Sequence, residues 1–281
     1  MRTRIAAAAA TAVLEGVAIR CSPRACVRRS ACAGALLAIG LASPAQAGSL
    51  DEAVARFKPY IAERIAESLA GTQMLRERIG ARDLTGAQQA WLAARGGWES
   101  AEIVTKEFFP ELDAAIDPWP NAKLGFHAIE AKLFGAHQVD ALAEADELVR
   151  HLTTFAAQLD AVTLPAQGLL NGTTKLAYEI GDDKAAGGES PFSGNSLEEM
   201  GYNLAGIRAA YHAVFEPALK ARNAKRAEAL ETHLEELQSL IAVRRLMDLD
   251  QAQLRKLSEG LAADLLAAGQ EIGLASPNLA D

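Results

Sequence analysis

From Ser49 onward no run of the chain alternates apolar and polar residues two by two, the pattern a half-buried strand requires. The apolar residues are spread instead through segments rich in Ala, Leu, Glu, Gln, Lys and Arg and poor in β-branched runs, which is helix chemistry. Ser49-x-x-Glu52 has the form of a capping box and predicts a helix to about Ile79, kinked near its start by Pro59. Thr85-x-x-Gln88 opens a second helix that stops near Pro110, and an irregular stretch follows with Pro110, Pro118 and Pro120. Asn121 caps a short third helix through Phe134, closed by Gly135. A fourth helix runs from about Val139 to Leu159, and a fifth from Pro165 to near Gly181. Residues 182–196 make the longest polar loop, with Gly187-Gly188, Pro191 and Gly194; loops of that length in compact domains are often functional. Ser196-x-x-Glu199 caps a sixth helix bent at Pro217, and two more follow at roughly 224–246 and 250–270. Helices one to four (about 49–162) and five to eight (about 165–270) each form a four-helix set, with the segment Asp160 to Gln167 as the boundary. The expected fold is all-α, two packed four-helix bundles.

The first 47 residues follow a different pattern. Arg28 and Arg29 precede an uncharged run, Ser30 to Ala42, and then Ala45-Gln46-Ala47. A basic start, a short apolar core and an A-x-A site are the parts of a secretory signal peptide, residues 1–47, with cleavage before Gly48. The apolar run is shorter than the ~20 residues that span a bilayer. Ser30-Ala31-Cys32 gives Arg28-Arg29 no distinctive twin-arginine context, and Cys32 lies ahead of the apolar core rather than after it, where a lipid-modified cysteine would stand. The protein is therefore expected in the periplasm. All three cysteines (Cys21, Cys26 and Cys32) fall in the removed segment, leaving neither a disulfide nor a thiolate ligand. Removal also takes six basic side chains and one acidic one, which moves the formal charge from −8 to −13. Such a surface disfavours nucleic acid and anionic lipid and favours cationic ligands.

The candidate chemistry begins at Gly125-Phe-His127-Ala-Ile-Glu130. Residues three apart share a helix face, so His127 and Glu130 can hold one metal ion from one turn. Their spacing is that of the Glu-x-x-His of di-iron bundles, reversed and in a single copy. On the second helix Arg95, Glu99 and Glu102 lie four and three residues apart on one face, with Trp91 and Trp98 close to the same side. This stripe reads either as a surface ion pair or as part of a functional face. Between the two helices stand Asp113 and Asp117, each placed to reach the gap or to serve as a turn residue.

Arg95-x-x-Trp98-Glu99-x-x-Glu102, then Leu112-Asp113-x-x-Ile116-Asp117, then Gly125-x-His127-x-x-Glu130 resembles the imelysin/EfeO family in order and spacing. The second half is similar too, through Leu170-Asn171-Gly172, Tyr178-Glu179-Ile180, Gly188-Glu189-Ser190 and Phe192-Ser193-Gly194-Asn195-Ser196-Leu197. The resemblance implies an exported protein of two helical bundles linked to iron uptake, and the length resembles the shorter EfeM-like form. It also implies a metal set of Glu99, Glu102, His127 and Glu130, with Asp117 preferred over Asp113. Ser193-Gly194-Asn195-Ser196 stands where EfeO proteins carry an aromatic and acid-rich stretch, so a second-bundle role in metal transfer is not implied.

The expected function is a periplasmic metal-binding component of an iron-uptake system that passes its ion to a membrane permease. Oxygen ligands with one imidazole suit iron, and zinc or another divalent cation is accommodated by the same set. Two alternatives stand beside it: an imelysin-type metallopeptidase and a non-catalytic helical scaffold or adhesion protein. A zinc peptidase normally draws two histidines and a catalytic glutamate from one helix, as in H-E-x-x-H, whereas His127 has no histidine four residues away. A scaffold would leave Glu99, Glu102 and His127 too far apart to share an ion.

Overall fold

The computed structural model describes residues 44–118, 123–182, 184–185 and 189–276. Among these the regular structure is helical, without strands, and the described part forms one compact unit. The helices are α1 (Pro44–Gly80), α2 (Leu84–Phe108), α3 (Pro110–Ile116), α4 (Gly125–Glu130), α5 (Leu142–Ala161), α6 (Ala166–Gly181), α7 (Ser196–Ala210), α8 (Glu216–Arg222), α9 (Ala224–Ile241) and α10 (Gln251–Glu271). Single π turns follow α4 and α7, at Ala131–Gly135 and Tyr211–Phe215, and a 3-10 turn, Leu246–Asp248, precedes α10. The first 43 residues, which hold most of the expected signal peptide, and Asn121, the expected cap of the third helix, lie outside the described residues.

α2 organises the rest. It lies against α1 and also against α6 and α7, so it joins the first group of helices (α1, α2, α5) to the second (α6, α7, α9, α10). Every residue from Ala94 to Thr105 is buried, as expected for a helix covered on all sides rather than along one stripe. Two glycines allow that coverage. A Cβ on Gly206 of α7 would fall 2.4 Å from the Ser100 carbonyl oxygen, and one on Gly172 of α6 would fall 2.1 Å from that of Ile103. α1 contributes Val54, Phe57, Ile61, Ile65, Leu75 and Ile79 to the core, and with the buried Ser68 and Thr72 between them these residues stand three or four apart. With Phe57 and Ile61 both buried, α1 continues through Pro59.

Several expected boundaries move for local reasons. The stretch after Pro110 is helical, not irregular. Proline is favoured in the first helical turn, and Glu111 and Asp113 there complement the helix dipole. The cap of α2 is Asp83, whose side chain accepts from the Gly86 N–H at 2.9 Å. Gln88, expected to close the Thr85 capping box, instead donates to the Leu133 carbonyl at 2.8 Å. The sixth helix continues through the π turn Tyr211–Phe215 into α8, in whose first turn Pro217 stands. Ser49 lies within α1. Glu199 does not close a box with Ser196, because its carboxylate is drawn inward to Arg95.

Candidate metal centre

The motif residues meet where α2, the end of α3, α4, the segment before α7 and α7 itself come together. α2 supplies Arg95, Trp98, Glu99 and Glu102 from successive turns of one face, and all are buried. α3 ends at Asp117, whose N–H bonds the Asp113 carbonyl at 2.8 Å; the following Pro118 disfavours a further helical residue. Gly125 lets the chain re-enter a helix with φ +59°, and a Cβ there would lie 2.0 Å from the Ile116 carbonyl oxygen. The glycine of Gly-x-His is thus a backbone requirement that places His127 beside Asp117. Gly125→Ala is expected to destabilise the fold by at least about 2 kcal/mol, from the left-handed backbone and the collision together. Thermal denaturation checks this, and an unchanged melting temperature would contradict it.

Arg95 is the hub. Its guanidinium donates to Asp117 Oδ1 at 2.7 Å and to Glu199 Oε1 at 2.8 Å, pairs with Glu99 one turn along, and lies 3.9 Å from Glu189. It also sits over the rings of Trp91 and Phe126, 5.7 and 5.2 Å from their centres. The second oxygen of Asp117 accepts from the Trp98 indole at 2.7 Å. Beside this hub stands a buried ammonium. Lys184 Nζ reaches Glu99 Oε2 at 2.7 Å, Glu189 Oε2 at 2.8 Å and Glu102 Oε2 at 3.1 Å. Asn203 of α7 donates to the same oxygens of Glu99 and Glu102, each at 2.8 Å.

His127 closes the other side, with Nε2 2.9 Å from Asp117 Oδ1 and Nδ1 3.5 Å from Glu130 Oε2. Glu130 also holds the segment ahead of α7, since its Oε1 accepts from the Ser193 N–H and hydroxyl, both at 2.8 Å, and from the Phe192 N–H at 3.1 Å. Ser190 donates to both oxygens of Glu199, at 2.7 and 2.8 Å.

Glu99, Glu102, Asp117, Glu130, Glu189 and Glu199 are thus buried around Arg95, Lys184 and His127, an excess of negative charge even with the imidazole protonated. Burial opposes a charge on His127, but Asp117 and Glu130 outweigh it and push the imidazole up to about 9. Burial likewise opposes charge on Asp117, yet Arg95 and His127 hold it well below the usual carboxylate range. Glu189 goes the other way: burial and the neighbouring carboxylates outweigh Lys184 and raise it to about 7. Glu99 is also raised, by burial against the pull of Arg95 and Lys184, whereas Glu102 is lowered because Lys184 and Lys106 overcome its burial.

All five residues expected from the sequence lie in this region, but not as one ring. Ligand atoms of Asp117, His127 and Glu189 lie within 4.8 Å of one another, and so do those of Glu99, Glu102 and Glu189. Glu130 stands outside both groups, beside His127 and committed to Ser193. Glu189, common to both, was visible in the sequence only as part of Gly188-Glu189-Ser190. Lys184, Glu199 and Asn203 carried no usable signal, because one buried polar residue on an amphipathic helix or in a polar loop looks like a solvated one. Glu179 of the same half pairs at 2.9 Å with Lys106. A third group, His212, Glu216 and Glu231, lies toward the surface, with Glu216 bound to Lys220.

The chain is 24% identical over 203 residues to an EfeM/EfeO family lipoprotein of Staphylococcus haemolyticus, covering 69% of this chain and 70% of that one. It is 26% identical over 165 residues to the iron uptake system component EfeM of Pseudomonas syringae, covering 55% and 58%. It is 22% identical over 241 residues to the iron uptake system component EfeO of Yersinia pseudotuberculosis, covering 79% and 64%. The chain thus spans less than two thirds of the EfeM and EfeO lengths. The fold matches a crystal structure from Parabacteroides distasonis described as an iron-regulated protein A precursor, with a TM-score of 0.65 and 14% identity over 84% of this chain and 97% of that one. The imelysin profile of peptidase family M75 matches residues 53–271, most of the chain, and the chain belongs to the imelysin family.

Proposed function

We propose that this protein is a periplasmic metal-binding component of an iron-uptake system, which captures iron at the buried carboxylate centre and passes it to a membrane permease. The observation that carries the reading is the pair of donor groups sharing Glu189, Asp117-His127-Glu189 and Glu99-Glu102-Glu189. Metal–oxygen and metal–nitrogen bonds of about 2.0–2.6 Å place ligand atoms on opposite sides of an ion about 4–5 Å apart. In each group one donor atom from every residue lies close enough to the others to share an ion. Carboxylate oxygens with one imidazole form a donor set suited to iron and tolerated by zinc. Glu130 fits as the residue that orients His127 and fastens the segment ahead of α7. The relatives named as iron-uptake components supply the choice of cargo. Export rests on the signal-like sequence of residues 1–47, and among the described residues no helix is long and apolar enough to cross a membrane.

The family's peptidase name carries a second reading, hydrolysis by a metal-activated water. Among the described residues the donor group that contains His127 lacks the second histidine that common zinc-peptidase sets use, and the group that shares Glu189 with it has no histidine, so capture is the better account. Titration of Fe(II) without oxygen, or of Zn(II), into the wild type and His127→Ala tests it. The wild type is expected to bind, His127→Ala and Asp117→Asn, each of which removes a donor, to lose more than about tenfold in affinity, and Glu130→Ala, which removes only a partner of His127, to lose less. Equal affinity and stoichiometry in wild type and His127→Ala would remove His127 from the ion's ligands, and no binding by the wild type would overturn the capture reading.

A further inference from the structure

The buried ammonium of Lys184 has no part in ion capture as proposed. Lys184 is 2% exposed, and its ammonium contacts Glu99, Glu102 and Glu189, the same three carboxylates whose oxygens form one of the two donor groups. It therefore stands where an ion chelated by those three would stand. We propose that Lys184 is a tethered cation that the captured metal must displace, so that this side chain sets the centre's affinity and its preference for multivalent ions. The inference rests on the reading of this centre as a metal-capture site.

The two cations of the centre differ in what they can do. Arg95 is fixed by a planar fork between Asp117 and Glu199, by Glu99, and by two aromatic faces. An ammonium is a compact point charge on a flexible stem of four carbons, and it can withdraw from its partners by rotating that stem alone. Metal and ammonium cannot share the three carboxylates, because two positive charges would then stand within a few ångströms of each other at a site poor in water. A monovalent ion would replace the ammonium with no gain in charge, whereas a divalent or trivalent ion adds charge where acid groups are in excess. Return of the same side chain gives the ion a route out without unfolding the site. Asn203, which donates to the same two glutamate oxygens as Lys184, holds their positions while the cations exchange.

Two measurements on the full mature chain test this. In the first, Mn(II) or Zn(II) is titrated into the wild type and into Lys184→Met, which keeps the stem and removes the charge. If the lysine-out state is a minor one in the metal-free wild type, deleting the competitor raises apparent affinity by the inverse of its population, about tenfold or more. Tighter binding by Lys184→Met supports the proposal. Equal affinity, with the wild type still binding, overturns it and leaves the capture reading standing, while weaker binding makes Lys184 a structural support and also overturns it. No binding by either chain overturns both. In the second, the wild type is acetylated by an amine-reactive reagent with and without saturating Zn(II), and modification at Lys184 is followed by mass spectrometry. Slow labelling without metal and faster labelling with it is the expected result, and it does not depend on a variant folding. Unchanged labelling of a chain that has bound zinc would sink the displacement.

Discussion

Arg95→Met is expected to cost about 3–5 kcal/mol of stability, the range found when one partner of a buried charge network is removed. In a domain of this size that lowers the melting temperature by roughly 6–20 °C. The reason is the geometry around the guanidinium. It is fully buried and directly bonded to Asp117 and Glu199, with Glu99 as a third carboxylate one turn along α2. Methionine fills a similar volume, so the loss is one of charge compensation rather than of packing. A cycle separates the two. Adding Asp117→Asn and Glu199→Gln to Arg95→Met should recover part of the lost stability, because the stranded carboxylates are then neutral. A melting temperature for Arg95→Met within 2 °C of the wild type, an interval of about 1 kcal/mol or less here, would show that the network contributes little to folding.

The same network shows why the sequence revealed part of the centre and concealed the rest. The pairing of Arg95 with Glu99 and the His127–Glu130 pair are local, four and three residues apart, and helical spacing places each pair on one face before any fold is known. Asp117 was ambiguous between ligand and turn residue. It is in fact both, ending α3 with its backbone while its carboxylate turns in to Arg95, Trp98 and His127. Lys184, Glu189, Glu199 and Asn203 reach the centre across 82 to 104 residues of chain where distances to α2 are defined by hydrogen bonds. Nothing in a single sequence marks such a crossing. The elements themselves were legible because the chain is built of good helix formers, and the misplaced boundaries have local causes. Asp83 outcompeted Thr85 as a cap, and Pro110 opened a helix that proline content alone had argued against. The π turn after α7 was not foreseen, because periodicity over a short window does not distinguish it from α-helix.

Metal binding at this centre should release protons, and affinity should therefore rise with pH. With its imidazole pushed up to about 9 by Asp117 and Glu130, His127 is protonated at pH 7 in the metal-free chain. A ligating imidazole must be neutral, so binding expels that proton. Glu189, raised to about 7, is close to half protonated at pH 7 and adds a fraction more. The sign follows directly. Below pH 7 the ion competes with protons on both groups. Between about 7 and 9 it competes chiefly with the one on His127, so log affinity climbs by about one per pH unit and levels off above 9. Calorimetric titration of Zn(II) at pH 7 in buffers of low and high ionisation enthalpy reads the count, expected at about one proton per ion from His127 with a further contribution from the raised carboxylates Glu189 and Glu99. In His127→Gln the release should fall to what those carboxylates supply. A proton release by the wild type no greater than that of His127→Gln would mean that His127 keeps its proton in the complex. The imidazolium would then serve as a partner for Asp117, and the ion would be held by carboxylates alone.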